Sequence, residues 1–368
     1  MNAGSWKRWG KLLRGLSLYC AMLGGGALPL AAQGDGFMVG ADLSFLAQAE
    51  LHGVAFRDQG VAKPGLQIFK DHGYNWIRLR LFHTPAGLPN DRAYTIAEAQ
   101  AAKKLGYKFL LDFHYSDDWA DPAHESAPRA WASLTHKQLV KAVFEYTRDT
   151  IAAFGQAGVM PDMVQIGNEV TAGMIWPDGR LPDNWDNFAE LVQAGIRGVD
   201  AGRGKSHRPL IMIHIDKGGD QGGCKWFFDN LNSHNIAFDV IGVSFYPWWH
   251  GGVPDLRNTL AFLAREYRMP IVVVETAYNW RPTEYAGRKA PYPETAEGQR
   301  QYFADVARTV RQTPGGFGKG VFWWEPAVQG PLEIRGLFDE QHNALPALSV
   351  FDKPAAGTAA NDGRHGNN

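Results

Sequence analysis

Two glutamates close two of the most apolar stretches of the chain. The run 163–167 leads into Asn168-Glu169, and the run 271–274 leads into Glu275-Thr276. A carboxylate at the end of a buried run is costly to desolvate unless something uses it. Two carboxyl groups across a cleft are what cleavage of a glycosidic bond requires. One protonates the leaving oxygen, and the other attacks the sugar or activates water. The other apolar runs end in the same manner. Asp42 and Ser44 close the first, and His114 closes another before Tyr115-Ser116-Asp117-Asp118-Trp119. His214-Ile215-Asp216, Ser244-Phe245-Tyr246 with Pro247-Trp248-Trp249-His250, and Trp323-Trp324-Glu325 follow. Any one of these reads best as a satisfied polar group of the core. The whole set together exceeds what packing needs.

The elements that must carry these residues are short apolar runs at 37–44, 76–82, 108–114, 163–167, 210–215, 240–245, 271–274 and 320–324. Amphipathic stretches separate them, for example 95–105, 135–157, 185–201, 256–267 and 296–313. Eight strands alternating with helices predict an α/β fold of the (β/α)8 barrel kind, in a single domain. A doubly wound open sheet is the competing arrangement. It would show a glycine-rich phosphate loop after its first strand, and Asp42-Leu43-Ser44 carries none. In a barrel the active site lies at the C-terminal ends of the strands. Strict alternation over 76–82 turns Ile77, Leu79 and Leu81 toward the helices and Arg78 and Arg80 into the barrel, where they need carboxylate partners. Glutamates on the fourth and seventh strands of such a barrel bring their carboxyls to about 5 to 6 Å, nearer the separation of retaining than of inverting glycosidases.

The neighbours suggest a division of labour. Arg78, by charge, and Tyr246, by hydrogen bond, are placed to keep Glu275 ionised, which leaves Glu169 as proton donor and Glu275 as nucleophile. Asn168 and His114 are candidates for sugar hydroxyls, and Asp42 joins them at the catalytic face. His214 reads equally as a substrate contact or as a satisfied inner-barrel histidine. Trp119, Trp248, Trp249 and Trp324 are either core or stacking platforms. Trp248 and Trp249 lie past a strand end in a Gly-Gly loop, which favours sugar stacking for at least one of them. Trp176, in the loop after Glu169, reads as part of the cleft rim. His114, His214, Asp118 and Asp216 match no standard ligand spacing, so neither metal nor other cofactor is expected.

Composition bounds the rest. Of 368 residues, 45% are hydrophobic and 12% aromatic, 13 of them Trp, and the formal net charge is −1. That balance excludes a broad electrostatic pull toward nucleic acid. Lys7, Arg8, Lys11 and Arg14 precede an apolar, glycine-rich stretch at 16–30 and the small residues Ala31-Ala32-Gln33-Gly34. Residues 1–33 therefore read as a secretory signal. A membrane anchor is the alternative, but the run is short and glycine-rich for a span. The expected organisation is this signal, a catalytic domain over 34–352 and a disordered tail over 353–368. The product is a secreted or periplasmic monomer without membrane contact once the signal is removed. Cys20 leaves with the signal, and Cys224 alone permits no intrachain disulfide.

Taken together the motifs resemble glycoside hydrolase family 53, the endo-β-1,4-galactanases acting on arabinogalactan. They are Gly40-Ala41-Asp42-Leu43-Ser44, Arg78-Leu79-Arg80, Asp112-Phe113-His114-Tyr115-Ser116-Asp117 with Trp119-Ala120-Asp121-Pro122, Gln165-Ile166-Gly167-Asn168-Glu169, Phe245-Tyr246-Pro247-Trp248-Trp249-His250-Gly251, Val274-Glu275-Thr276-Ala277 and Trp323-Trp324-Glu325-Pro326-Ala327. The resemblance runs from about Phe37 to Phe351. It implies an endo-acting, retaining enzyme on β-1,4-galactan, a pectic side chain, with Glu169 as acid/base and Glu275 as nucleophile. Two departures stand out. Val328-Gln329-Gly330 follows Ala327 where the family pattern has a further Trp, and 278–299 lacks the Asp/Asn cluster with which some relatives bind calcium. Another glycosidase of the same clan, a mannanase or xylanase, and a non-catalytic polysaccharide-binding barrel are the alternatives. A binding barrel would have no need of both glutamates.

Overall fold

The computed structural model describes residues 36–283 and 290–352. The expected signal over 1–33 and the expected tail over 353–368 lie outside the described residues. The chain divides into two units, Met1–Gly36 and Phe37–Asn368, and the second holds every strand and helix described below.

Eight parallel strands close into a barrel: β1 (Met38–Asp42), β2 (Trp76–Leu81), β3 (Lys108–Phe113), β4 (Met163–Ile166), β5 (Leu210–Ile215), β6 (Val240–Phe245), β7 (Ile271–Thr276) and β8 (Gly318–Trp323). Each strand pairs with its sequence neighbours, and β8 pairs with β1. The expected barrel is therefore present, with all eight strands within a few residues of their anticipated bounds. Eight helices accompany them among the described residues: α1 (Leu46–Leu51), α2 (Gly65–Asp71), α3 (Arg92–Lys104), α4 (His136–Gln156), α5 (Trp185–Gly202), α6 (Gln221–Ser233), α7 (Val253–Glu266) and α8 (Ala296–Arg311). The sequence pattern does not announce α1 and α2, which are too short for a period, or α6, whose first turn holds Gly222 and Gly223. Asp220 starts α6 regardless, its Oδ1 accepting from Gly223 N at 2.9 Å, a cap of the kind worth about 1 kcal/mol.

The packing follows from the alternation. Ile77, Leu79 and Leu81 of β2 join the apolar layer between strands and helices. Helices α4 and α5 approach closely through glycine. A Cβ on Gly198 would lie 2.7 Å from Thr147 Cβ, and one on Gly202 would lie 2.4 Å from Arg148 O. Inside the barrel, the N-terminal half is filled by Trp76, Leu110, Met163, Met212, Val240, Val272, Val274 and Phe322, a separate apolar cluster. One step further along the strands the inward positions become polar: Arg78, Asp112, Gln165, His214 and Ser244, all buried. Register brings them to a common level, with Asp42 opposite Arg78, Asp112 opposite Gln165 and Ser244 opposite Glu275.

Strand β7 departs from simple alternation. Val243 pairs with Val273, but the next residue, Ser244, pairs with Glu275. Val274 is thus an extra residue, a bulge of the sort that re-aims a side chain near an active site. Val274 stays in the inner apolar cluster while Glu275 reaches the cleft.

Candidate active site

A cleft of about 590 Å³ opens at the C-terminal end of the barrel, and Glu169 and Glu275 both border it. Glu169 follows β4 through a tight turn. Gly167 has φ 80°, and Glu169 itself sits in the left-handed region at φ 45°, ψ 44°. A non-glycine residue there costs on the order of 1–3 kcal/mol, and such strain clusters at functional sites. The turn also requires its glycine, since a Cβ on Gly167 would lie 2.4 Å from Val170 Cγ1.

Arg78 is the hub beneath the cleft. Its Nη1 donates to Asp42 Oδ2 at 2.9 Å and pairs with Glu275 Oε1 at 2.7 Å, while Nη2 donates to Asp112 Oδ2 at 2.8 Å and Asn168 Oδ1 at 2.7 Å. Burial works against its charge, but Asp112, Glu275 and Asp42 more than offset this and hold the guanidinium protonated. Arg80 pairs with Glu325 and lies 4.2 Å over the Trp119 ring. Both inward arginines therefore have the carboxylate partners that burial demands.

The two glutamates have unequal surroundings. Glu275 Oε2 accepts from Tyr246 Oη at 2.8 Å and from Ser244 Oγ at 3.5 Å, and Oε1 faces Arg78. Burial raises its carboxyl above the ordinary range, while Arg78 and then Tyr246 pull it back. Glu169 is half-buried and pairs with no basic residue among the described residues. Burial first and the Glu275 charge second push its carboxyl well above the ordinary range, and the Ser244 hydroxyl offsets this only in part. A proton shared between the two rests on Glu169. Tyr246 stays a neutral donor, since burial and then the Glu275 charge raise its phenol.

Other expected site residues fall into two groups. Arg78, His114, Asn168, Tyr246, Trp249 and Trp324 border the cleft. Asn168 gives Nδ2 to Ala120 O at 2.8 Å, and its Oδ1 accepts from Arg78. His114 touches the cleft, but its Nδ1 accepts from Ala120 N at 3.0 Å and its Nε2 pairs with Asp112 at 3.0 Å. Both nitrogens are thus committed to the protein, which corrects the expectation that they serve a sugar hydroxyl. Four further expectations are corrected. Asp42 is fully buried and does not border the cleft. Its Oδ1 accepts from Ser44 Oγ at 2.5 Å and its Oδ2 from Arg78, so it positions Arg78. His214 is likewise fully buried, with Nδ1 3.1 Å from Asn168 Oδ1 and Nε2 2.8 Å from Ser244 Oγ. Burial, then Arg78, keeps its ring neutral, and it is the satisfied inner-barrel histidine. Trp248 is half-buried under Tyr246 and Tyr278, with ring centroids 5.9 and 6.2 Å away, so the exposed face of the pair belongs to Trp249, 64% exposed. Trp176 does not border the cleft either. It lines a separate recess with Trp131, and its Nε1 donates to Ala172 O at 2.8 Å.

Sequence reasoning missed two neighbours of the site. Glu125 is buried with Oε1 unpartnered, and burial followed by the Glu169 charge raises its carboxyl well above the ordinary range. Arg335, at the end of a 3-10 turn (Gly330–Arg335), borders the cleft beside Trp249. Neither lies in a periodic segment, so no pattern marks them. In the loop after β7 the described residues do not fit a calcium ion. The Glu294 oxygens already accept from Asn279 Nδ2 at 2.7 Å, Thr283 Oγ1 at 2.8 Å and Thr283 N at 3.1 Å.

Comparison with known proteins places this geometry in a wider setting. Residues 38–351 match the family model "Glycosyl hydrolase family 53". An uncharacterized protein of Niallia circulans, from the bgaB 5' region, is 41% identical over 80% of this chain and 84% of its own. An arabinogalactan endo-beta-1,4-galactanase of Cellvibrio japonicus is 35% identical over 86% of this chain and 90% of its own. The solved Ignisphaera aggregans GH53 catalytic domain superposes with TM-score 0.80 at 34% identity, covering 86% of this chain and 96% of that one.

Proposed function

The chain belongs to glycosyl hydrolase family 53 and hydrolyses β-1,4-galactosidic bonds within galactan chains, and we propose that Glu169 is its acid/base and Glu275 its nucleophile. The observation that carries the assignment is the inequality of the two carboxyls. Glu275 faces a guanidinium and a phenol, and Glu169 faces the Glu275 charge.

The reaction follows from that inequality. Protonated Glu169 gives its proton to the glycosidic oxygen as the ionised Glu275 carboxylate attacks the anomeric carbon from the opposite face. The C–O bond breaks, the cut chain leaves, and a galactosyl ester forms on Glu275. Glu169, now a carboxylate, takes a proton from water, which attacks the same carbon and releases Glu275. Two inversions retain the configuration. Arg78 holds Glu275 ionised and oriented before attack. As the ester forms, the negative charge facing Arg78 falls by one, but Asp42 and Asp112 remain, so the hub keeps its place. Asn168 is fixed through Ala120 and Arg78 beside the acid, at the border of the cleft. Trp249 supplies an exposed indole for the apolar face of galactose.

The substrate is a polysaccharide, the (arabino)galactan side chains of pectin, reached by a monomer that is exported to the periplasm or beyond. The basic and apolar N-terminal stretch supports export. No helix among the described residues is long and apolar enough to cross a membrane. Reducing-sugar release from galactan, mannan and xylan tests the substrate assignment. Activity on mannan or xylan but not on galactan overturns it. N-terminal sequencing of the exported protein tests removal of the signal.

A further inference from the structure

The cleft carries a cation that the hydrolysis of a neutral galactan does not use. Arg335 lies 4.4 Å over the Trp248 ring and 5.7 Å from the Trp249 ring centroid, and it borders the cleft. Among the described residues its side chain makes no ion pair and no hydrogen bond, and Nε is buried without a partner. Arg78 and Arg80 are fully buried and also leave Nε unfilled, but each has carboxylate partners. Arg78 pairs with Asp42, Asp112 and Glu275, and Arg80 pairs with Glu325. The acid nearest to Arg335 in sequence is already engaged, for Glu333 gives its carboxylate to Arg281 at 3.0 Å. Asp216, also at the cleft, is held by Lys217 at 2.9 Å. Two indoles offset part of the cost of half-burying a guanidinium, but no carboxylate among the described residues meets it, and Nε is left without a partner. Burial accordingly lowers the affinity of this guanidinium for its proton, with only the Tyr246 phenol opposing.

We propose that Arg335 makes the wall of the cleft beside Trp249 a binding position for an acidic sugar, a hexuronate borne on or adjoining the galactan chain. The proposal rests on the galactan reading above and extends it to the substitution of the chain. A guanidinium is a planar fork that matches a carboxylate in two parallel hydrogen bonds. A hexuronate presents such a carboxylate at the edge of a ring whose apolar face suits the exposed indole of Trp249. A neutral galactose unit offers hydroxyls there and leaves the charge uncompensated.

The test is a pair of dissociation constants, measured calorimetrically in a Glu169→Gln background that suppresses turnover. The ligands are a β-1,4-galacto-oligosaccharide and the same oligosaccharide carrying one galacturonate. The expected result is tighter binding of the acidic ligand by about tenfold or more, the range of a hydrogen bond to a charged group, with the preference weakening as salt rises. Arg335→Gln is expected to abolish that ratio, and Arg335→Lys to keep part of it. Equal affinities in the parent, or a ratio unchanged by Arg335→Gln, overturn the proposal. A merely structural role for Arg335 beneath the two indoles would weaken both ligands alike and leave the ratio intact. Reducing-sugar release from neutral galactan by the unmodified enzyme, run in parallel, reads the galactanase assignment separately.

Discussion

The two halves of the barrel interior are built on the same strands and do opposite things. Toward the N-terminal end, Trp76, Leu110, Met163, Met212, Val272 and Phe322 fill the barrel with apolar side chains. Two residues further along those strands stand Arg78, Asp112, Gln165, His214 and, past the bulge in β7, Glu275. The lower layer contributes by burial and close packing, so its effect is on stability. The upper layer is a network that joins Arg78 to Asp42, Asp112 and Glu275 and Gln165 to Asp112, so its effect is on where charge and protons sit. What the contrast teaches is that stability and chemistry are separable here at a spacing of two residues.

Substitutions can break or sharpen that contrast. The largest effect is expected from Glu275→Ala. Loss of the nucleophile lowers kcat on galactan by on the order of 10⁴-fold or more, with the thermal midpoint little changed or raised, since a buried carboxylate is removed. Full activity in that variant would refute the mechanism. Glu169→Gln is expected to cost about 10²–10⁴ on galactan. The loss should be much smaller for the first step on an aryl galactoside whose leaving group needs no proton, and an equal loss on both substrates would contradict its role as acid. Phe322→Ala, in the lower layer, is expected to cost about 3–5 kcal/mol of stability, with kcat/KM at a permissive temperature within a few-fold. A fall in kcat as large as that of Glu169→Gln would show that the two halves are not separable. Tyr246→Phe probes protons in the upper layer. The Tyr246 hydrogen bond lowers the Glu275 carboxyl, so its removal raises it. The rate falls as Glu275 takes up a proton, so the acidic limb of the pH–rate profile should move to higher pH. The alkaline limb, set by deprotonation of Glu169, should stay near its place. The smallest effect is expected from Trp249→Ala, a rise in KM of about three- to tenfold with kcat nearly unchanged.

How much of this was legible in the sequence divides along the same line. The eight strands could be read because apolar runs with turn-rich ends persist whatever they pack against. Arg78 and Arg80 could be assigned inward because β2 alternates without a fault. Glu275 could not be aimed by alternation, since Val272 and Val274 both point inward, and only the bulge turns Glu275 into the cleft. Asp42, His114 and His214 were readable as polar strand ends but not as substrate-facing or protein-facing. That distinction depends on partners far along the chain, such as Arg78 bonding Asp42 across 36 positions and Asn168 across 90. Trp248 and Trp249 are adjacent and of one type, so only the packing of Tyr246 and Tyr278 tells which is covered. Arg335 sits in an aperiodic turn, and its lack of a carboxylate partner among the described residues becomes visible only when Glu333 is seen to face Arg281.

The central claim is that Glu275 forms the covalent bond and Glu169 moves the proton. A slow-turnover 2-deoxy-2-fluoro-β-galactoside with an activated leaving group should trap the ester, and mass mapping of the digested enzyme should locate it. The account predicts one sugar per chain, on the peptide containing Glu275. A label on Glu169, or no label with product of inverted configuration, would contradict it.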